Sequence, residues 1–310
     1  MILCIGTTPA TQRVMIFRKL IIDSVNRAST TLEGAAGKAI NVAKVLKALG
    51  EYPVATGFLG GNRGASILAL LEAKRIDSDF VTVAAHTREC ITVIDKSSGE
   101  QTELVEESQP VAGAAYKKLI QLIRRHVHGC RAVVMSGTIT SGGPVDFYRR
   151  CTHIARQAGA LTVVDAQGAV LIESLHARPG LVKPNRAELA ATVGRKLQTQ
   201  SAVIRAMHEL HERGAERVVV TAGKDPALAF DGQKCWKIIS PRVRAVNPIG
   251  SGDAFTAALV WRLGRGEDLG EACRWASASG AANALGAMPG EVNSQDVERL
   301  MRRARAERIL

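Results

Sequence analysis

Gly37-Lys-Ala-Ile-Asn-Val-Ala-Lys-Val-Leu-Lys-Ala-Leu-Gly50 runs almost directly into Pro53-Val-Ala-Thr-Gly-Phe58. In the first stretch Ile40, Val45, Leu46 and Leu49 fall near one helical face, and Gly50 stops the helix. The second stretch is a short apolar run with the length of a buried strand. A helix feeding such a strand is the unit from which parallel sheets are wound, and the pattern repeats outward in both directions. Ile2–Ile5 reads as the opening strand. Further strands are expected at Ala132–Met135, Leu161–Asp165, Leu181–Lys183 and Val218–Thr221, with helices at Ala114–His126, Val145–Gln157 and Ser201–Arg213. This alternation predicts an α/β protein with a mainly parallel central sheet. The last third reads as helical, over Ser251–Leu263, Leu269–Leu285 and a final helix after Asn293 or Ser294 as N-cap. Two segments, Val14–Arg27 and Glu89–Val105, alternate like exposed strands with no crossover helix next to them. They are read as a small β-sheet outside the main one.

Composition bounds the rest. A chain of 310 residues, 46% hydrophobic and 23% charged, is long enough for a large core and too apolar for disorder. It has no apolar run of roughly 18 residues, so no membrane helix is expected. Met1–Pro9 lacks a basic flank and a signal-peptide core, which makes a cytoplasmic protein the expectation. Cys4, Cys90, Cys130, Cys151, Cys235 and Cys273 are scattered, with no C-x-x-C pair, so zinc ribbons and redox dithiols are not expected. The net charge of +12 suits an anionic partner. Aromatics are only 4% and stand apart from the basic residues, which argues against nucleic acid and leaves a phosphorylated metabolite. The basic run Arg299–Arg308 reads as the solvated face of a terminal helix.

Asn247-Pro-Ile-Gly-Ser-Gly-Asp-Ala-Phe-Thr-Ala-Ala-Leu-Val260 carries the chemistry. A glycine-bracketed turn leads straight into an Ala-rich helix, so free backbone N–H groups and the positive end of the helix face whatever lies above them. Gly250 and Gly252 let a phosphate approach closely. Asp253 at the mouth of this anion site reads in two ways: as a helix cap, or as a general base that deprotonates a hydroxyl attacking phosphorus. The stretch is neither a Walker A loop nor a dinucleotide fingerprint.

Together with Gly37-Lys38-Ala-Ile-Asn41, this stretch resembles the paired signature of the PfkB (ribokinase-like) carbohydrate kinases, closest to the 1-phosphofructokinase and tagatose-6-phosphate kinase branch. Val25-Asn-Arg27-Ala, Thr87-Arg88, Ser136-Gly-Thr138 and Lys183-Pro-Asn185-Arg-Ala-Glu188 are similar to further motifs of that branch. The resemblance implies a ribokinase-like three-layer α/β/α sandwich, a single kinase domain over 1–310, with 14–27 and 89–105 forming a β-lid that also serves as a homodimer surface. It implies ATP and Mg²⁺, a sugar-phosphate substrate, and no nucleic-acid or membrane partner. Asp253 would be the catalytic base, and Gly250, Ser251 and Gly252 the anion hole. Gln12, Gly37, Asn41 and Ser136 would face the sugar, while Arg27, Lys38 and Arg88 converge on its phosphate. Lys183, Asn185, Thr221, Ala222, Gly223 and Lys224 would border the nucleotide, with Asn283 near the adenine, and Asn185 and Glu188 would organise the metal.

Several positions depart from the branch. Gln12 stands where an Asp is usual, Ala36 and Ala39 where glycines are usual, Pro226 replaces a Gly of the nucleotide loop, and Ala166-Gln167 replaces Thr-Ser. These changes keep open a kinase of an unphosphorylated sugar or nucleoside, or a catalytically weak sensor of sugar phosphate or ATP. His208-Glu-Leu-His211 has the wrong spacing for a zincin helix and reads as an amphipathic helix.

Overall fold

Ile2–Gly6 forms β1, buried along its whole length. The pleat sends Leu3 and Ile5 into one apolar core and Ile2 and Cys4 into another. A strand that is apolar on both faces requires helices above and below it. The computed structural model, which describes residues 1–310, has them. After β1 come β2 (Ala10–Phe17), β3 (Thr30–Ala36), α1 (Lys38–Ala48), β4 (Pro53–Leu59) and α2 (Gly61–Ala73). Two short strands, β5 (Asp77–Ser78) and β6 (Val81–Thr82), precede β7 (Arg88–Asp95) and β8 (Gln101–Val105). Then follow α3 (Gly113–His126), β9 (Ala132–Ser136), α4 (Phe147–Gln157), β10 (Leu161–Asp165), α5 (Gly168–Leu175), β11 (Leu181–Val182), α6 (Arg186–Val193), α7 (Gln200–Glu212) and β12 (Val218–Ala222). The chain closes with β13 (Asp225–Phe230), β14 (Cys235–Ile239), α8 (Ser251–Leu263), α9 (Leu269–Asn283), α10 (Ser294–Met301) and β15 (Arg305–Arg308).

The large sheet has the order β15-β14-β13-β12-β11-β10-β9-β1-β4-β5, with β6 also on β4. It is parallel from β12 to β5 and antiparallel from β12 to β15. Residues of α3 to α7 fill the core on one face, and α1, α2, α8 and α9 that on the other, giving three layers. The strand order reverses at β1, which pairs with β4 on one side and β9 on the other. In open α/β sheets the crevice at the carboxyl ends beside such a reversal is where ligands bind. The second sheet, β3-β2-β7-β8, is built from the β1–α1 and α2–α3 connections.

The strands and helices named from the sequence all form, most with shifted ends. The final stretch of α9 stops at Asn283 instead of Leu285. Of the segment 14–27 only the first part is strand: β2 begins earlier, at Ala10, and its partner β3 lies beyond, while 18–29 is a loop. Asn26 closes that loop by bonding the N–H and C=O of Ile21 and the carbonyl of Ser24, local bonds that compete with a strand ladder. The basic C-terminal run is not one helix either. α10 ends at Met301, and Arg305–Arg308 pairs with β14 as an edge strand. His208 and His211 of α7 both pack on Phe230, in keeping with an amphipathic helix.

Candidate active site

The turn before α8 needs its first glycine. Gly250 has φ +83°, and a Cβ there would lie 2.9 Å from Pro289 Cβ and 3.0 Å from Gly290 N. With Gly250 as N-cap and no side-chain cap, Ser251 N–H donates to Pro248 O at 3.1 Å while the N–H groups of Gly252 and Asp253 stay free. Asp253, third in the helix, is 7% exposed and accepts a hydrogen bond from Asn41 Nδ2 at 2.8 Å. The capping role is thereby excluded. Burial, reinforced by Asp165 and opposed by Lys38, the Asn41 bond and Lys183, pushes the Asp253 carboxyl up to about 6.

Beside it lies a ladder of alternating charge. Asp165, at the end of β10, is 1% exposed; its Oδ2 accepts from Thr256 Oγ1 at 2.8 Å and meets Lys183 Nζ at 3.1 Å. Its Oδ1 is 3.5 Å from Lys38 Nζ, which is 3.4 Å from Glu188 Oε1. Burial alone would raise the Asp165 carboxyl, but Lys183 and Lys38 with the Thr256 hydroxyl hold it below its ordinary value. Asp165, outweighing burial, and then Glu188 and Asp253 hold Lys38 well above the ordinary lysine range. Asn185 and Glu188 start α6 as a capping box: Asn185 Oδ1 accepts from Glu188 N at 2.9 Å, and Glu188 Oε2 from Asn185 N at 2.8 Å. That leaves Glu188 Oε1 turned toward Lys38. No cluster of three or more His, Cys, Asp or Glu side chains forms a cage for a metal.

These groups line a cavity of about 340 Å³ shared by Gln12, Gly37, Lys38, Asn41, Arg88, Lys183, Asn185, Glu188, Thr221, Gly250, Gly252 and Asp253. Asn185 and Thr221 also border a second cavity of about 630 Å³, with Ala222 and Gly223 on its wall. At the far end Arg88 donates to Thr8 O at 3.2 Å and Glu106 O at 3.3 Å, and its buried Nε has no partner. Gln12 donates to Thr92 Oγ1 at 2.9 Å.

Five expected residues stand elsewhere. Arg27 is exposed on the 18–29 loop and lines neither cavity, and Lys224 is exposed in the β12–β13 turn, also off both walls. Ser136 is buried behind Gly37 and Lys38 with its hydroxyl unpartnered. Ser251 is off the cavity wall, and Asn283 is 0% exposed. Asn283 acts as a brace: its Nδ2 donates to Ile249 O at 2.9 Å and Ser251 Oγ at 3.3 Å, and its Oδ1 accepts from Gly290 N at 2.8 Å. Lys38 lies in the cavity but is drawn to carboxylates, so it does not converge with Arg27 and Arg88. Asp165 was missed as a site residue; a charged residue closing an apolar parallel strand at its carboxyl end was the available signal.

The departures from the branch pattern fit the fold. The Ala39 methyl packs on Gly6, where an added Cβ would lie 2.7 Å away, so only Ala36 of the two alanines reaches the cavity. Pro226 falls opposite the register shift between Val220 and Ala222 of the β12–β13 ladder, a place in a sheet that tolerates proline.

The whole chain has close counterparts. It is 30% identical over 305 residues to the tagatose-6-phosphate kinase of Staphylococcus epidermidis, covering 97% of this chain and 98% of that protein. The phosphofructokinase-2 of Escherichia coli in complex with fructose-6-phosphate superposes with a TM-score of 0.88 at 26% identity, over 97% of this chain and 98% of that one. A Thermotoga maritima protein named a possible 1-phosphofructokinase shares the fold, with a TM-score of 0.91 at 24% identity over 100% of this chain and 99% of that one. A match to the pfkB family of carbohydrate kinases runs over residues 1–292, and by it this chain belongs to that family and is a carbohydrate kinase.

Proposed function

We propose that the protein transfers the γ-phosphoryl group of ATP to a hydroxyl of a sugar that already carries a phosphate, with Asp253 as the general base. The observation that carries this reading is one buried carboxylate with its proton affinity raised to about 6, in the first turn of a helix where the N–H groups of Gly252 and Asp253 are free. A base poised near the working pH takes a proton from the attacking hydroxyl without being protonated beforehand. The N–H groups of Gly250, Gly252 and Asp253 then face the charge that develops on the transferring group.

The nucleotide lies along Thr221, Ala222 and Gly223, and its phosphates reach the smaller cavity past Asn185. Glu188 Oε1 and Asp165 offer oxygens that suit a hard cation retaining water and phosphate ligands, so Asn185, Glu188 and Asp165 would hold Mg²⁺ through such a shell. When bound, Mg²⁺ supplies charge neutralisation at the phosphates. Lys38, among these carboxylates, serves the transferring phosphoryl group; Arg88 serves the phosphate already on the sugar. The small sheet closes over the sugar as the lid of one catalytic unit spanning 1–310. A narrower second reading, a kinase of an unphosphorylated sugar, is favoured by the position of Arg27 outside the cavity.

The test is ADP release from ATP and Mg²⁺ against fructose 1-phosphate, fructose 6-phosphate, tagatose 6-phosphate, free hexoses and nucleosides, with Asp253→Asn as blank. Turnover on a phosphosugar alone is expected; turnover confined to free hexoses or nucleosides would select the second reading. Arg88→Ala should then raise KM for the phosphosugar on the order of 10²-fold with kcat little changed.

A further inference from the structure

Lys44 is the buried polar residue of α1 that this chemistry leaves unused. It is 5% exposed, and its ammonium donates to Pro289 O at 2.6 Å and Ala35 O at 3.0 Å. It forms no ion pair: Glu291, on the same side, is paired with Lys74 at 2.7 Å. Burial pulls Lys44 down to about 8, opposed by Glu291 and Asp253 and assisted by Lys74. A buried ammonium is costly, and its two backbone partners lie on different elements.

Pro289 belongs to the α9–α10 connection, which rests on the anion turn. Asn247 Nδ2 donates to Ala287 O at 2.7 Å, and Gly290 N donates to the Asn283 amide that braces Ile249 and Ser251. Gly290 in turn abuts Asn41, the partner of Asp253; a Cβ on it would lie 2.8 Å from Asn41 Cα. Ala35 is near the end of β3, two residues before Gly37. One ammonium therefore joins α1, the loop behind the anion turn and the base of the small sheet.

We propose that Lys44 is a positioning residue for phosphoryl transfer: its ammonium clamps the Pro289–Gly290 loop and the end of β3 to α1, which holds the Gly250–Gly252 turn and Asp253 in register with Asn41 and Lys38. The proposal rests on the reading of that turn as the phosphoryl site. Its reach is mechanical: Lys44 itself lines neither cavity, and it acts through Pro289, which stands on the wall of the smaller one. An apolar side chain of equal length would leave both carbonyls buried without a donor and free the loop to move, and a displacement of about 1 Å at a reacting centre costs on the order of 10² in rate.

The test is Lys44→Met and Lys44→Arg, each measured for kcat, for KM of ATP and for amide hydrogen exchange over 247–253 and 286–291. Lys44→Met is expected to lose on the order of 10² in kcat with KM for ATP within about twofold, and to exchange faster in both segments. Lys44→Arg keeps charge and donors and is expected to recover most of the turnover. A folded Lys44→Met with wild-type kcat or unchanged exchange overturns the proposal, as does a folded Lys44→Arg equally impaired. If Lys44→Met does not fold, Lys44→Gln is read by the same criteria. Asp253→Asn in parallel separates the two failures: an active Asp253→Asn discards the site reading, whereas an active Lys44→Met beside an inactive Asp253→Asn discards only the clamp.

Discussion

The raised proton affinity of Asp253 costs stability, and that cost can be read separately from the proposed role of the carboxylate as a base. Its carboxyl binds a proton more tightly in the folded chain, about 6 against an ordinary 3.8. Between those values the native state holds more protons than the unfolded one, so the contribution of this group falls as pH rises through the window and is lost above about 6. Asp253→Asn should therefore stabilise the protein at pH 8, by on the order of 2 kcal/mol, and should bring no gain below the ordinary carboxylate range. The same variant should lower kcat by roughly 10²–10⁴-fold. In the wild type kcat/KM should fall with acidity below about pH 6, where the base is protonated. Thermal melts at two pH values and a pH–rate profile check these outcomes; an equal melting shift at both pH values would deny the buried charge. At this scale the sequence was informative about backbone geometry, because Gly-Ser-Gly-Asp entering a helix leaves few conformations open. It was poorer for long side chains: Lys38 turns toward Asp165 and Glu188, partners more than 100 residues away in the chain, and Asn283 turns inward to brace a loop that lies more than 30 residues before it.

Helix α1 spaces Lys38, Asn41 and Lys44 three residues apart, and each reaches a different part of the site: the carboxylate ladder, Asp253 and the loop behind the anion turn. The turn that opens α8 is the complementary element, and two glycines allow its strain to be tested. Gly250 and Gly266 bracket α8 with nearly the same backbone, φ +83° and +85°, but Gly250 abuts Pro289 whereas nothing lies within 4 Å of a Cβ on Gly266. Alanine at either position should cost roughly 1–2 kcal/mol from the left-handed backbone alone. Gly250→Ala should cost more, by the overpacking against Pro289, and should lose kcat on the order of 10²-fold, with Gly266→Ala catalytically silent. Equal activity in the two variants would remove the anion turn from the chemistry. Elements with strong helical or apolar periodicity were legible in the chain to within a few residues, as α1 and β10 illustrate. The β13–β14 hairpin and β15 were not, because an edge strand such as Arg305–Arg308 is defined by its partner and has little pattern of its own.

For the molecule as a whole, the two sheets treat their edges and faces differently. The large sheet ends in β15, carrying Arg305 and Arg308, and in the two-residue β5; charge and brevity both discourage further pairing. The small sheet is guarded only in part on its outer face, where the Arg13–Glu33 ion pair lies beside Ile91. Gln12, Val14 and Ile16 point inward, so the register places Met15 beside Val93 and Ile91 beside Leu104 on the opposite face, with Leu104 54% exposed. The adjoining 18–29 loop exposes Ile22 and Val25 at 83% and 84%. A sheet with one face toward a ligand cavity and apolar residues on the other is half of a sandwich, and the expected occupant is the same face of a second copy, related by a twofold axis. Sedimentation at micromolar concentration should then give a dimer. Leu104→Asp with Ile91→Asp should weaken it by on the order of 10²-fold in Kd, since two apolar contacts are lost and four like charges meet across the axis. Because Glu103 and Val105 of the same strand line the sugar end of the cavity, the monomeric variant should also show a raised KM for sugar with KM for ATP unchanged. A wild type that sediments as a monomer at all concentrations would end the proposal, and a dimer indifferent to both substitutions would move the interface away from this face.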